Sequence, residues 1–271
     1  MKKISFVHFS DLHYKDDYTG QHSERLTAET GLDLTEQFCI GLEKIMSDNE
    51  DIDFAIISGD LSQHGTAKEY ESLKKILDQK LDGIPYYIST GNHDSENFGT
   101  LLSDTEEKKS YDYSVINNGL RIISLDSKGG KYETGFLSTS QLEWLKAELA
   151  SPAPRGNILV FHHTPHTSGE IEYLTYQMEN PAELYDVIKD SDIKGIFCGH
   201  THKQFVSQLG DIPCYTVESL SFGIETLDDR MLISNSTGYN RCEIDDEGLK
   251  VEHVKIIPEQ RHEVTIMYSE F

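Results

Sequence analysis

No stretch of the 271-residue chain approaches the roughly 18 consecutive apolar residues that a membrane helix needs. The start, Met1-Lys2-Lys3-Ile4, runs into an alternating segment with neither a long apolar core nor a small-residue cleavage site, so no export signal is read there. A soluble, cytoplasmic protein without a membrane partner is the expectation. Cysteine is scarce as well. Cys39, Cys198, Cys214 and Cys242 are far apart, show no CxxC spacing and sit in or beside apolar runs, which favours reduced core thiols over a disulfide framework. Basic residues are few: 24 Lys and Arg stand against 47 Asp and Glu, a net charge of −23. That balance disfavours a nucleic-acid polymer or an anionic lipid surface as partner, and a small anionic substrate must find a local positive field. Low-complexity tracts and internal repeats are missing too. With aromatics at 10%, this argues for a folded globule, expected as a single domain over residues 1–271.

What is present is an alternation of strand-like and helical segments. Apolar runs at residues 4–9, 54–58, 86–90, 158–161 and 196–198 read as buried strands. Residues 34–46 have helical spacing behind Asp33 as N-cap, Thr66 with Glu69 and Ser138 with Gln141 form capping boxes, and Asn180-Pro181 opens a further helix. Beyond His202 the pattern turns to short strands at 204–209, 214–217 and 239–244. The last of these forms a hairpin with 249–257 across Asp246-Glu247-Gly248. This β-rich part, about 204–271, has three readings: a cap, a contact in a homo-oligomer, or a sheet edge. The segments 95–110 and 166–180 are expected as loops over a site.

The strand-like runs share one property: each is followed by side chains of the types that can ligate metals. Asp11-Leu12-His13, Gly59-Asp60, Gly91-Asn92-His93-Asp94, His162-His163 and Gly199-His200-Thr201-His202 follow them in turn. Open α/β sheets place their chemistry at the carboxyl ends of strands, and five such ends along one chain make a site. Asp11, His13, Asp60, Asn92, His162, His200 and His202 read as the ligand shell of two metal ions. In extended backbone Asp11 and His13 point the same way, as do His200 and His202. His93 points into the site, with Asp94 available to orient its ring. Of the adjacent His162 and His163, at most one faces the cluster.

In order and spacing these five motifs resemble the calcineurin-like metallophosphoesterases. Gly65 and Glu69-Tyr70 after Asp60 narrow the resemblance toward bacterial cyclic-nucleotide and glycerophosphodiester phosphodiesterases. The resemblance implies a four-layer α/β/β/α sandwich of two mixed β-sheets. It implies one metal on Asp11, His13, Asp60 and His202 and another on Asp60, Asn92, His162 and His200, with Asp60 shared and His163 as a packing residue. Imidazole and carboxylate without thiolate suit Mn, Fe or Zn. Two divalent ions bring about +4, the two carboxylates return −2 and a bridging hydroxide −1, so an acidic protein acquires a positive site for its phosphoester substrate. The expected reaction is phosphodiester hydrolysis by that hydroxide, with His93 protonating the leaving oxygen or stabilising the developing charge. Departures from the resemblance are Thr164, where proline is usual, and Lys203, where arginine is. Neither is a ligand, and both bear on substrate preference. A phosphomonoesterase with the same site, using Lys203 or Arg230 on a terminal phosphate, is the alternative, and a non-catalytic scaffold is the alternative of another class.

Overall fold

The computed structural model describes residues 2–16, 27–29, 32–49, 51–101, 111–131, 133–165 and 177–267. Strand β1 is Ile4–Phe9, β2 Phe54–Ser58 and β3 Tyr86–Ser89, all parallel. Helices α1 (Leu34–Asp48) and α2 (Ala67–Lys80) connect them. Strands β12 (Thr237–Asp245) and β13 (Gly248–Ile256) complete this sheet in the order β13-β12-β1-β2-β3, with β12 antiparallel to β1. The second sheet has the order β4-β5-β6-β7-β9-β8. It comprises β4 Tyr113–Asn117, β5 Leu120–Ser124, β6 Asn157–Val160, β7 Ile193–Cys198, β8 Phe205–Leu209 and β9 Ile212–Thr216, and it mixes parallel with antiparallel pairs. Helices α3 (Thr139–Leu149) and α4 (Pro181–Ile188) belong to this half.

Alternation along β1 and β2 sets the layers. Ile4, Phe6, Phe54 and Ile56 meet Leu120, Ile122, Ile158 and Phe197 between the two sheets, while Val7, Phe9, Ala55 and Ile57 on the opposite face pack against Phe38 and Leu42 of α1 and Leu73 of α2. Strands buried on both faces need apolar residues throughout, which is why these segments read as continuous runs. On the far side Leu145 of α3 and Leu184 and Ile188 of α4 cover Leu159 and Ile196. Two sheets face to face with helices outside make the expected four-layer sandwich.

Local signals set the helix starts. Asp33 accepts from the backbone N–H of Thr35 and Glu36 at 2.8 and 3.1 Å, and both capping boxes form. The fourth helix starts at Asn180-Pro181 as expected, with Asn180 at the N-cap position but its side chain turned elsewhere. Its amide bonds both backbone groups of Leu137, at 3.1 and 2.8 Å, and ties the start of α4 to the loop before α3.

Several strand bounds differ from the sequence reading, and β4 with β5 forms a hairpin that it lacked. The described part of the 204–271 segment divides among three sheets. Most of it completes the two main ones, while β10 (Gly223–Thr226), β11 (Arg230–Ser234) and β14 (Glu263–Met267) form a small antiparallel sheet. That sheet packs Ile233, Val264 and Ile266 on Leu34 and Phe222. Ile256 packs against the core beneath α1 and α2, and Ile257 is exposed. The four cysteines are free, three of them buried. Among the described residues no helix is long and apolar enough to cross a membrane. The expected loop at 95–110 begins with a short 3-10 helix, Glu96–Thr100. Residues 102–110 and 166–176, including His166, lie outside the described residues, as does His22.

Candidate metal centre

Strand pairing continues beyond β1 and β2 into their loops. The N–H groups of Asp11, His13 and Tyr14 donate to the carbonyls of Gly59, Asp60 and Leu61, each at 3.0 Å, and Gln63 N–H returns to Tyr14 O at 2.8 Å. The first two motifs are therefore held in register. Their backbone is not extended, which corrects the sequence reading: Asp11, His13, Asp60, His200 and His202 all have left-handed φ, between 46° and 72°. Each such residue costs on the order of 1–3 kcal/mol and persists only where its surroundings over-determine it. Around Asp11 those surroundings are visible. Its carboxylate accepts from His200 N–H, and its carbonyl accepts from the hydroxyls of Ser219 and Ser221 at 2.7 and 3.0 Å.

All seven residues singled out as ligands converge. His13 Nε2 stands 3.0 Å from His202 Nε2, 3.7 Å from Asp60 Oδ2 and 3.9 Å from Asp11 Oδ1, and His202 Nε2 lies 3.3 Å from Asp11 Oδ1. His162 Nε2 stands 3.2 Å from Asp60 Oδ2, 3.1 Å from Asn92 Oδ1 and 3.1 Å from His200 Nδ1. Asp60 Oδ2 is the atom common to both sets. Asp11-His13-His202 and Asp60-His162-His200 each form a compact triad, and Asp60 with His13 and His93 forms a third.

The hydrogen bonds show what these sets demand. His13 Nδ1 is 2.9 Å from Gln63 Oε1, His202 Nδ1 is 3.0 Å from Phe222 O, and His162 Nδ1 is 2.7 Å from Ser58 O. Carbonyl oxygens only accept, so each Nδ1 carries a proton and each ring turns its Nε2 inward. Two Nε2 atoms 3.0 Å apart, and a third beside carboxylate, amide and imidazole acceptors, need protons or metal ions between them. Nitrogen bonds of about 2.0–2.1 Å to a transition-metal ion fit that spacing. The donor chemistry thus fits metal ions.

Titration behaviour follows from the same crowding. Burial pushes the carboxyls of Asp11 and Asp60 up, but the flanking histidines outweigh it and hold both below the usual range. Burial takes His13 and His200 down to about 3. Burial also opposes the charge on His162, yet Asp60 and Asp11 prevail and lift it to about 9, so without ions that ring meets the demand for positive charge.

His93 is half-buried, with its ring edge-on to His13 at 4.9 Å and its N–H donating to Asp60 Oδ1 at 2.9 Å. Asp94 does not orient it, contrary to the sequence reading. The Asp94 carboxylate accepts from Leu61, Ser62 and Gly91 N–H and from the Tyr70 hydroxyl, bracing the loop after β2 against the loop after β3. Burial, then Asp60, raise it to about 6 despite those donors. Tyr70→Phe removes one donor from a buried carboxylate and is expected to cost about 1–3 kcal/mol. A shift in the urea midpoint measures this, and an unchanged midpoint would contradict the bracing role.

Glycine has its use here too. A Cβ at Gly59 (φ 97°) would meet His162 Nδ1 at 2.6 Å, so this glycine admits the imidazole rather than the ion itself. His163 is buried, with Nδ1 2.8 Å from Ser127 Oγ, and its ring packs on those of His162 and His200. His8 is buried between Ser58 and Asn240. His253 pairs with Glu218 at 3.1 Å, while His262 donates its backbone N–H to Asn235 and His64 is exposed. Lys203 donates to Thr226 Oγ1 at 2.6 Å, and Arg230 lies beside Asp229. Gln63, Phe222, Ser58, Ser219 and Ser221 act at the site without having been singled out; an unremarkable polar or aromatic residue signals nothing until the fold brings it to a ligand.

The sequence matches the calcineurin-like phosphoesterase family over residues 4–204, and the chain belongs to that family. It is a hydrolase acting on phosphoesters, as the motifs implied. It is 32% identical over 228 residues to a "probable cyclic nucleotide phosphodiesterase" of Rhodococcus erythropolis, covering 79% of this chain and 72% of that protein. Over 166 residues it is 34% identical to a "probable glycerophosphodiester phosphodiesterase" of Arcobacter nitrofigilis, covering 56% of this chain and 57% of that protein. Among solved structures, a purple acid phosphatase from yellow lupin seeds superposes with a TM-score of 0.65 at 16% identity, over 99% of this chain and 55% of that one. That likeness supports the sandwich fold.

Proposed function

We propose that the chain is a phosphodiesterase that holds two divalent ions and acts on a small diester, such as a cyclic nucleotide or a glycerophosphodiester. The carrying observation is the meeting of two acceptor sets at Asp60 Oδ2, with Asp11, His13 and His202 on one side and Asn92, His162 and His200 on the other. The names of the aligned relatives support the diester class. Manganese, iron and zinc all suit the donors. Ions bound there supply Lewis acidity toward the phosphoryl group and acidify water at neutral pH.

The protein's own groups do the remaining work. Gln63, Phe222 and Ser58 hold the Nδ1 protons of three ligands, so that three Nε2 lone pairs face one pocket. We assign His93, beside His13 and tied through its backbone to Asp60, to the leaving oxygen, where it donates a proton or a hydrogen bond.

With added Mn the chain is expected to hydrolyse bis-p-nitrophenyl phosphate faster than p-nitrophenyl phosphate, and then cyclic nucleotides. Preference for the monoester would overturn the diesterase assignment. His93→Ala is expected to keep its ions by elemental analysis and to lower kcat about 10²–10⁴-fold on a diester with an alkoxide leaving group. Retained ions with an undiminished rate would remove its role.

A further inference from the structure

The amide of Gln63 reaches both the ligand His13 and the neighbouring His93. Gln63 Oε1 is 2.9 Å from His13 Nδ1, and Gln63 Nε2 is 3.3 Å from His93 Nδ1. The Gln63 carbonyl is also 3.2 Å from His93 Nδ1. We propose that Gln63 is a positioning residue that aims two imidazoles with one amide: His13 toward the metal and His93 toward the substrate. The proposal rests on the two-ion phosphodiesterase reading above.

The amide can serve both rings in one orientation only. As a metal ligand His13 must keep the lone pair of Nε2, which faces Asp60, Asp11 and His202, so its Nδ1 carries the proton and donates to the oxygen of Gln63. The NH₂ group then necessarily faces His93. A reversed amide would set N–H against N–H. His93 Nδ1 is thus bracketed by the side-chain donor and the backbone acceptor of the same residue. Whichever it takes, Nδ1 is the nitrogen engaged, and Nε2 is left for the substrate. Gln63 itself is fixed from two directions, its N–H held by Tyr14 O at 2.8 Å and the preceding Ser62 N–H by Asp94 at 3.2 Å. Groups behind a metal ligand commonly govern affinity by about 10–100-fold.

Two variants separate the halves of the role. Gln63→Leu loses both contacts, whereas Gln63→Glu keeps an acceptor for His13 and loses the donor to His93. Calorimetric titration of the metal-stripped chain with MnCl₂ is expected to show Kd weakened about 10–100-fold in Gln63→Leu and restored to within about threefold of wild type in Gln63→Glu, the margin a retained acceptor implies. On a diester with an alkoxide leaving group, Gln63→Glu is expected to lose kcat at nearly constant KM, because the His93 contact acts in the transition state. Circular dichroism of both variants confirms folding. Wild-type Mn affinity in folded Gln63→Leu overturns the proposal, as does a Gln63→Glu affinity that falls with it. A wild-type chain that binds Mn but hydrolyses no diester defeats the functional reading instead, and the calorimetry still decides the part of Gln63 toward His13.

Discussion

Asp60→Asn is expected to leave the chain folded, deprive it of paired ions and reduce diester turnover on the order of 10³-fold or more, the scale of removing a principal electrostatic stabiliser. The asymmetry of the two carboxylate oxygens carries the argument. Oδ1 accepts from His93 N–H at 2.9 Å, and an asparagine oxygen can do the same. Oδ2 stands 3.2 Å from His162 Nε2 and 3.7 Å from His13 Nε2. An NH₂ group placed there would donate to lone pairs that otherwise face the ions, so the variant satisfies the ion-free pocket by a route that excludes metal. Without metal the variant gives up the His162–Asp60 charge pair but keeps a hydrogen bond in its place, so its thermal stability should fall only slightly below that of wild type. At free Mn about 100-fold above Kd, one site adds roughly 2.7 kcal/mol to wild-type stability; the variant should gain much less. Elemental analysis, turnover and melting with and without chelator read the three effects. Two ions per chain with turnover within about tenfold of wild type would defeat the shared-carboxylate geometry, since the effect sought is two orders larger.

The parts of the fold that were legible are those governed by neighbours in sequence. Asp33, Thr66 and Ser138 cap their helices through bonds to residues two or three positions away, and β1 and β2 announce themselves because both faces are buried. The β4–β5 hairpin carried an equally local signal, Asn118-Gly119, with both φ angles positive at 49° and 86°. Half-exposed β4 lacks the clean apolar run that would mark it as a strand before that turn. Strands β10, β11 and β14 had no such signal: each has only four or five residues, and Ser234 pairs with Glu263 across an intervening hairpin. At the site, residue types at strand ends disclosed which side chains converge. Their backbone conformation was not disclosed, since left-handed Asp11 and His202 depend on bonds from segments far along the chain. The bracing role of Asp94 was hidden for the same reason, because three of its four donors, Leu61, Ser62 and Tyr70, come from distant positions.

Gly91→Ala should abolish activity as thoroughly as removal of a ligand, although residue 91 binds nothing through a side chain. A Cβ at this position would stand 2.8 Å from Asp60 Cγ and closer still to Asp60 Oδ1 and its backbone nitrogen. A flexible side-chain tip could retreat, but here both offending groups are fixed. The carboxylate is held by His93 N–H, and the left-handed backbone of Asp60 has its carbonyl on His13 N–H. Relief must therefore come from parting the loop after β2 from the loop after β3. That movement strains the Asp94 brace, which bonds Gly91 N–H at 2.8 Å and Leu61 N–H at 3.2 Å, and carries Asn92 away from His162. Overpacking of this kind costs about 1–3 kcal/mol, which a domain of this size survives. The chain should remain folded by circular dichroism, with Mn affinity and diester turnover both lost. The contrast with His93→Ala, expected to keep its ions and lose rate, distinguishes a residue that shapes the pocket from one that acts within it. Normal Mn binding in folded Gly91→Ala would mean that the two loops part without cost, and the tight apposition of Asp60 and Gly91 would then have no bearing on the site.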